Sequence, residues 1–104
     1  MCGIAGIIAK RPFNPAALEA MTERLAHRGP DGDGLWISDD KCVGFGHRRL
    51  AIIDTTDAGR QPMFDASGRY VITFNGEIYN YIELADRLRG EGVIFQSQSD
   101  TEVL

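Results

Sequence analysis

An apolar, glycine-spaced run begins at the second residue of this chain, M-C-G-I-A-G-I-I-A, and Lys10-Arg11-Pro12 stops it. Short, partly β-branched and bounded by charge and proline, Gly3 to Ala9 reads as a buried β-strand. The chain is thus committed to a sheet from its first residues, with Cys2 at the head of the first strand. If Met1 is removed, which a small second residue favours, Cys2 becomes N-terminal and carries a thiol and a free α-amine on one backbone unit. The thiolate is the nucleophilic form of cysteine, and an adjacent amine is placed to act as its base. A second-position cysteine is a weak feature by itself and gains weight only from motifs further along the chain.

Asn14-Pro15 is a helix start, a capping residue followed by proline at the first helical position. Leu18, Met21 and Leu25 then form one apolar face of a helix expected to run to about Ala26. The segment from His27 to Gly34 holds three glycines and a proline in eight residues and reads as a loop. Leu35 to Ser38 and Val43 to Ile53 read as strands around a turn at Ser38-Asp39-Asp40-Lys41. A polar stretch, Asp54 to Gln61, comes next, and Asp65-Ala66-Ser67-Gly68 is a second hairpin-type turn. Tyr70 to Phe74 alternates as a strand and ends at Asn75-Gly76.

Asn80 with Glu83 makes a cap and N3 pair. Tyr81, Leu84, Ala85 and Leu88 supply the apolar face of a second helix, which Gly90 or Gly92 would close. Ser99-Asp100-Thr101-Glu102 is another capping box, opening a third helix just before Leu104. The order of elements gives an α+β fold with helices packed on sheet faces. A helix signalled and then cut off implies a fragment. Apolar strands with uncovered edges imply a chain of marginal stability when alone.

The 104 residues suffice for one modest domain, and 43% hydrophobic with 25% charged residues is ordinary globular usage rather than disorder. Eleven Lys and Arg against fifteen Asp and Glu leave a net charge of −4, which argues against nucleic acid or an anionic membrane as partner. No stretch approaches the ~20 apolar residues of a membrane helix, and no basic n-region marks a secretory signal. Cys2 and Cys42 make neither a disulfide framework nor a Cys/His metal pattern, so no metal site is expected in this chain. A reducing cytoplasm is the expected location. Cys42 matches no motif and reads as packing.

Five segments belong together: M-C-G-I-A-G-I at the start, H-R-G-P-D-G at 27–32, G-H-R-R-L-A-I-I-D at 46–54, F-N-G-E-I-Y-N at 74–80 and S-D-T-E-V at 99–103. In order and spacing the set resembles the N-terminal glutaminase domain of glutamine-using asparagine synthetases, a class II glutamine amidotransferase. The opening C-G-I-x-G is shared across that class, whereas H-R-G-P-D with the two later segments is specific to the asparagine synthetase branch. The resemblance implies an N-terminal-nucleophile hydrolase fold, an αββα sandwich of which roughly the first half is present. It also implies a following ATP-dependent synthetase domain, absent here: no S-G-G-x-D-S motif and no G-x-x-x-x-G-K-[ST] loop occurs in the chain.

Carried over residue by residue, the resemblance makes Cys2 both nucleophile and, through its α-amine, base, and puts the oxyanion hole at Asn75 and Gly76. On its own, Asn-Gly after a strand reads as a tight turn. Arg49 is the implied partner of the glutamine α-carboxylate, a planar fork that suits a carboxylate, with Leu50, Ala51, Ile52 and Ile53 forming the adjoining wall. Asp100 and Glu77 are the implied partners of the α-ammonium; Asp100 reads equally as a helix cap. Arg28 and Gly29 look like the loop near the nucleophile. His47 and Arg48 read as structural and solvated respectively, and Asp31 as a turn-former.

The function so implied is hydrolysis of glutamine to glutamate and ammonia, supplying ATP-dependent synthesis of asparagine from aspartate in the complete protein. ATP and Mg2+ are expected for the synthetase domain only. The expected partners are glutamine, aspartate and ATP, with a homodimer as the assembly. One alternative is the glutaminase half of an amidotransferase with another carboxylate acceptor; another is a truncated, non-catalytic fragment. The glucosamine-6-phosphate and phosphoribosylamine enzymes fit less well, because their loop does not read H-R-G-P-D. The 104-residue chain alone is expected to be inactive, since a substrate pocket needs a rigid surround.

Overall fold

The computed structural model describes residues 1–104. Five strands and two helices succeed one another: β1 (Gly3–Ile8), α1 (Pro15–Glu23), β2 (Gly32–Ile37), β3 (Val43–Arg49), β4 (Met63–Phe64), β5 (Val71–Ile72) and α2 (Tyr81–Gly90). Single 3-10 turns occur at Asp57–Gly59 and Asp100–Val103. The α+β class expected from the order of elements is what is found.

Strands β1, β3 and β2 form an antiparallel sheet in that order, with Ala5, Gly46 and Leu35 in one cross-strand row and Ile4, His47 and Gly34 in the next. Residues in one row share a face, so Gly3, Ala5 and Ile7 lie on the same side as Gly44 and Gly46. Helix α1 covers that side. A Cβ on Gly44 would come within 2.6 Å of Phe13 and 2.8 Å of Leu18, and one on Gly46 would collide with the Thr22 hydroxyl. The helix lies this close because these strand positions carry no side chain. Leu18 and Thr22 are the buried residues of α1, and the Thr22 hydroxyl turns back onto the Leu18 carbonyl at 2.8 Å. Met21, expected on the apolar face, is 39% exposed.

The opposite side of the sheet meets the β4–β5 hairpin. Trp36 packs on Phe45 at 5.4 Å between ring centroids and edge-on to Phe64 at 6.5 Å. Those contacts cover β2 and β3 but leave β1 open, so Ile4 and Ile8 are 46% and 83% exposed. The expectation that β1 is buried therefore holds for one face only.

Several boundaries also differ from expectation. Strand β2 begins at Gly32 rather than Leu35, because Gly32 and Asp33 pair with Arg49 and Arg48. Strand β3 stops at Arg49 instead of Ile53: the Leu50 N–H turns to the Cys2 sulfur and the Ala51 N–H to Asp31. Helix α1 ends at Glu23, its last turn tightening into three-residue steps from Leu25 to Thr22 and Ala26 to Glu23. Only Val71–Ile72 of the 70–74 strand pairs in a ladder.

Helix α2 runs as expected, with Ala85 buried, and it packs on the 3-10 turn at 100–103. Its C-terminus is a Schellman closure: Val93 N–H bonds to Leu88 O and Gly92 N–H to Arg89 O, both at 3.0 Å, with Gly92 at φ 95°. Asn80, by contrast, makes no side-chain cap bond. Its backbone sits at φ −100°, ψ 29°, outside the extended geometry that aims a capping side chain at the next amides. The third helix is a single 3-10 turn. Ser99 caps it through the Thr101 N–H, but Glu102 accepts from Gln96, Ser97 N–H and the Ser97 hydroxyl instead of closing the box.

Candidate active site

The nucleophile candidate is held from two directions. Leu50 N–H donates to Cys2 Sγ at 3.2 Å, where the chain leaves β3 and turns past the N-terminus. Arg28 Nε donates to the Cys2 carbonyl at 3.1 Å, and Arg48 Nε donates to the Gly29 carbonyl at 3.1 Å. The glycine-rich loop thus braces the backbone of Cys2, although neither Arg28 nor Gly29 lines the cleft that the sulfur faces. Arg48, expected to be solvated, is part of this brace. Met1 lines the same cleft, and while it is attached the nitrogen of Cys2 is an amide with no basicity.

Arg49 ends β3 and points into the cleft. Its Nη1 donates to the Thr56 carbonyl at 2.6 Å and its Nη2 to the Asp54 carbonyl. The guanidinium rests against Gly59, where a Cβ would come within 2.5 Å of Nη2. Leu50, Ala51, Ile52 and Ile53 continue the wall from Arg49. Asp54, buried, ties this corner to the C-terminal segment: its carboxylate accepts from the Thr56 hydroxyl at 2.6 Å, from Gln98 N–H at 2.9 Å and from Thr56 N–H at 2.8 Å. Those bonds, the Thr56 hydroxyl first, hold its pKa below the ordinary carboxylate value.

Asn75, Gly76 and Glu77 form the facing wall, Asn75 half-buried and the other two exposed. Asp100 closes that end. It is buried, and its carboxylate accepts from Ile78 N–H at 2.9 Å, so it clasps the chain just past Glu77 rather than capping its own turn. The cap belongs to Ser99.

Behind Asn75 lie two residues not expected there. Gln61 Oε1 accepts from Phe74 N–H at 2.6 Å while its Nε2 donates to the Thr101 hydroxyl at 3.1 Å. His47 is fully buried, with Nδ1 3.0 Å from the Thr73 hydroxyl. Burial, with Arg49 nearby, pushes its pKa down to about 4, so the ring is neutral at physiological pH. It is structural, as read from sequence, but the structure it holds is the approach to Asn75.

One cleft therefore gathers Cys2, Arg49, the 50–53 wall, Asn75, Gly76, Glu77 and Asp100. A sulfur at one point, a fixed guanidinium and a pair of carboxylates suit a small zwitterion carrying a reactive carbonyl. Sequence reasoning missed Asp54, Gln61 and Thr101, and read Asp31 only as a turn-former, whereas its carboxylate accepts from Ala51 N–H at 2.8 Å and fixes the 50–53 wall. Asp54 was legible in part, since an Asp two residues before Thr is a known local hydrogen-bonding pattern. Gln61 carried no signal.

The protein-family profile described as "Glutamine amidotransferase domain" matches residues 1–104. Among curated proteins, glutamine-hydrolyzing asparagine synthetase 1 of Bacillus subtilis (strain 168) is 47% identical over 109 residues, covering 100% of this chain and 17% of that protein. Glutamine-hydrolyzing asparagine synthetase 1 of Arabidopsis thaliana is 40% identical over 107 residues, covering 100% of this chain and 18% of its own length. A protein named amidase chry2, from Gibberella zeae, is 42% identical over 91 residues, 84% of this chain and 13% of that protein. The chain spans 13–18% of the length of these three relatives.

Proposed function

This chain belongs to the glutamine amidotransferase family, and on that premise we propose that it hydrolyses glutamine with Cys2 as the nucleophile. The ammonia supplies an ATP-dependent synthesis of asparagine from aspartate, carried out by the complete protein. The observation that carries this reading is the convergence of Cys2, Arg49, Asn75-Gly76 and Asp100, from four separated segments, on one cleft. The layer order, α1 on one side of the three-stranded sheet and β4–β5 on the other, supports an incomplete αββα sandwich.

Removal of Met1 frees the α-amine of Cys2. That amine takes the Sγ proton, directly or through water, and the thiolate attacks the side-chain amide carbon of glutamine. The Leu50 N–H, 3.2 Å from the sulfur, holds it in place beside the cleft. The C=O π pair moves to oxygen, where the Asn75 side-chain amide and the Gly76 N–H receive it. Collapse breaks the C–N bond as the ammonium proton passes to the leaving nitrogen, giving ammonia and a γ-glutamyl thioester. Water then adds to the thioester and expels Cys2, releasing glutamate. Arg49 binds the α-carboxylate, and Asp100 with Glu77 binds the α-ammonium.

ATP and Mg2+ belong to the synthetase portion. Residues 1–104 contain no group of three or more His, Cys, Asp or Glu side chains able to hold a metal ion. One relative bears the name amidase rather than asparagine synthetase, and the second reading keeps the glutaminase and changes the acceptor. No helix is long and apolar enough to cross a membrane, and the cytoplasm is the proposed location. The test is glutamate release by the complete gene product. Cys2→Ala is expected to abolish it, and a peptide fused ahead of Cys2 is expected to do the same while leaving the thiol open to iodoacetamide. Hydrolysis at the normal rate in Cys2→Ala would overturn the mechanism.

A further inference from the structure

We propose that Gln61 is a positioning residue that sets the span between the two ends of the glutamine site, and with it the preference for glutamine over asparagine, one methylene shorter. The inference rests on the reading that Cys2 and Asn75-Gly76 take the amide while Asp100 takes the ammonium. The ladder of β5 ends at Ile72, so no backbone ladder pairs Thr73 to Gly76, and the His47 side chain reaches only Thr73. Phe74 N–H, next to Asn75, is held instead by Gln61 Oε1 at 2.6 Å.

The other end of the same side chain, Nε2, donates to the hydroxyl of buried Thr101 at 3.1 Å, next to Asp100. A single amide, acceptor at one atom and donor at the other, therefore bridges the segment that meets the reacting carbonyl and the segment that meets the ammonium. The bridge has a fixed footing, because any Cβ on Gly34 of β2 would collide with the Gln61 carbonyl. A strut of set length between two recognition points discriminates by length. One methylene is worth roughly 10- to 200-fold in kcat/KM when the points are held apart, and about 100-fold in rate can be lost when they shift by ~1 Å.

The experiment uses the complete gene product with glutamine and asparagine as alternative substrates. Gln61→Met keeps the bulk and removes both hydrogen bonds. Gln61→Glu keeps an acceptor for Phe74 N–H and can accept from the Thr101 hydroxyl, whose proton rotates. Gln61→Met is expected to lose about 100-fold in kcat/KM for glutamine and at least ~10-fold in the glutamine-to-asparagine ratio, with Gln61→Glu recovering most of both. Should Gln61→Met fail to fold, Gln61→Asn, one methylene shorter, is read on the same ratio. An unchanged ratio, or equal loss in Gln61→Glu and Gln61→Met, overturns the inference while leaving the glutaminase reading intact. A wild-type protein with no glutamine hydrolysis overturns that reading itself.

Discussion

The sulfur of Cys2 and the guanidinium of Arg49 are both fixed by backbone groups rather than by other charges. Arg49 is oriented by the carbonyls of Asp54 and Thr56 and lines the cleft. If Arg49 binds the α-carboxylate as proposed, Arg49→Ala is expected to raise KM for glutamine by roughly tenfold or more, with little change in kcat. On the proposed oxyanion role of Asn75, Asn75→Ala should lower kcat about 10²–10³-fold with KM nearly constant. Steady-state kinetics on the two variants separates the roles.

His47 adds a pH dependence. Its folded pKa is about 4 against 6.5 as a free side chain, chiefly through burial and secondarily through the Arg49 charge. Between those values the unfolded chain binds the proton and the folded chain does not, so stability falls as pH drops from 6.5 toward 4. Tm followed by circular dichroism should decline through that window, and His47→Gln should flatten the decline. A flat profile in the wild type would contradict a neutral, buried ring.

At the scale of elements, the glycines of β3 decide how α1 sits. Gly46→Val would drive methyl groups into Thr22, and overpacking of this kind costs about 1–3 kcal/mol. Gly32→Ala, with nothing within 4 Å of the added carbon, is the matched control and should change little. Urea unfolding of the pair measures the difference. The same helices and strands were largely legible in sequence: Asn14-Pro15 caps α1 as expected, the side chain of Asn14 accepting from Ala16 N–H at 3.0 Å, and Gly92 closes α2. Where sequence reading failed, at Leu50–Ile53, Asn80 and the third helix, the local signal was outweighed by the surroundings. At Leu50 and Ala51, for example, a tertiary partner had taken the backbone group that a regular strand would have used.

The whole molecule is under-covered. Its accessible surface is 6970 Å², against roughly 5,800 Å² for a compact chain of this mass. Its radius of gyration is 14.5 Å against about 13 Å. Leu18 and Ala85 are the buried apolar residues, while Phe64, Tyr70 and Ile94 are more than half exposed around a second, apolar cleft beside Leu104. Residues 1–104 expressed alone should bind a hydrophobic dye, self-associate and release no measurable glutamate. The complete gene product should bind less dye per mole and be active. Dye-free, monomeric behaviour of the 104-residue chain would show that it needs no further cover.

Sequence by itself determined the α+β class, the family, the nucleophile candidate and most of the cleft's residue types, because capping signals, glycine turns and reactive groups are local. The structure alone decided that Asp100 clasps Ile78, that Asp31 holds Ala51, that Asp54 joins Arg49's corner to Gln98, and that Gln61 spans Phe74 and Thr101. Each of these is a side chain satisfying a backbone or hydroxyl group 20 to 44 residues away, or 13 in the case of Phe74. A buried polar group must find a partner, but which partner it finds is fixed only when the fold brings distant segments together.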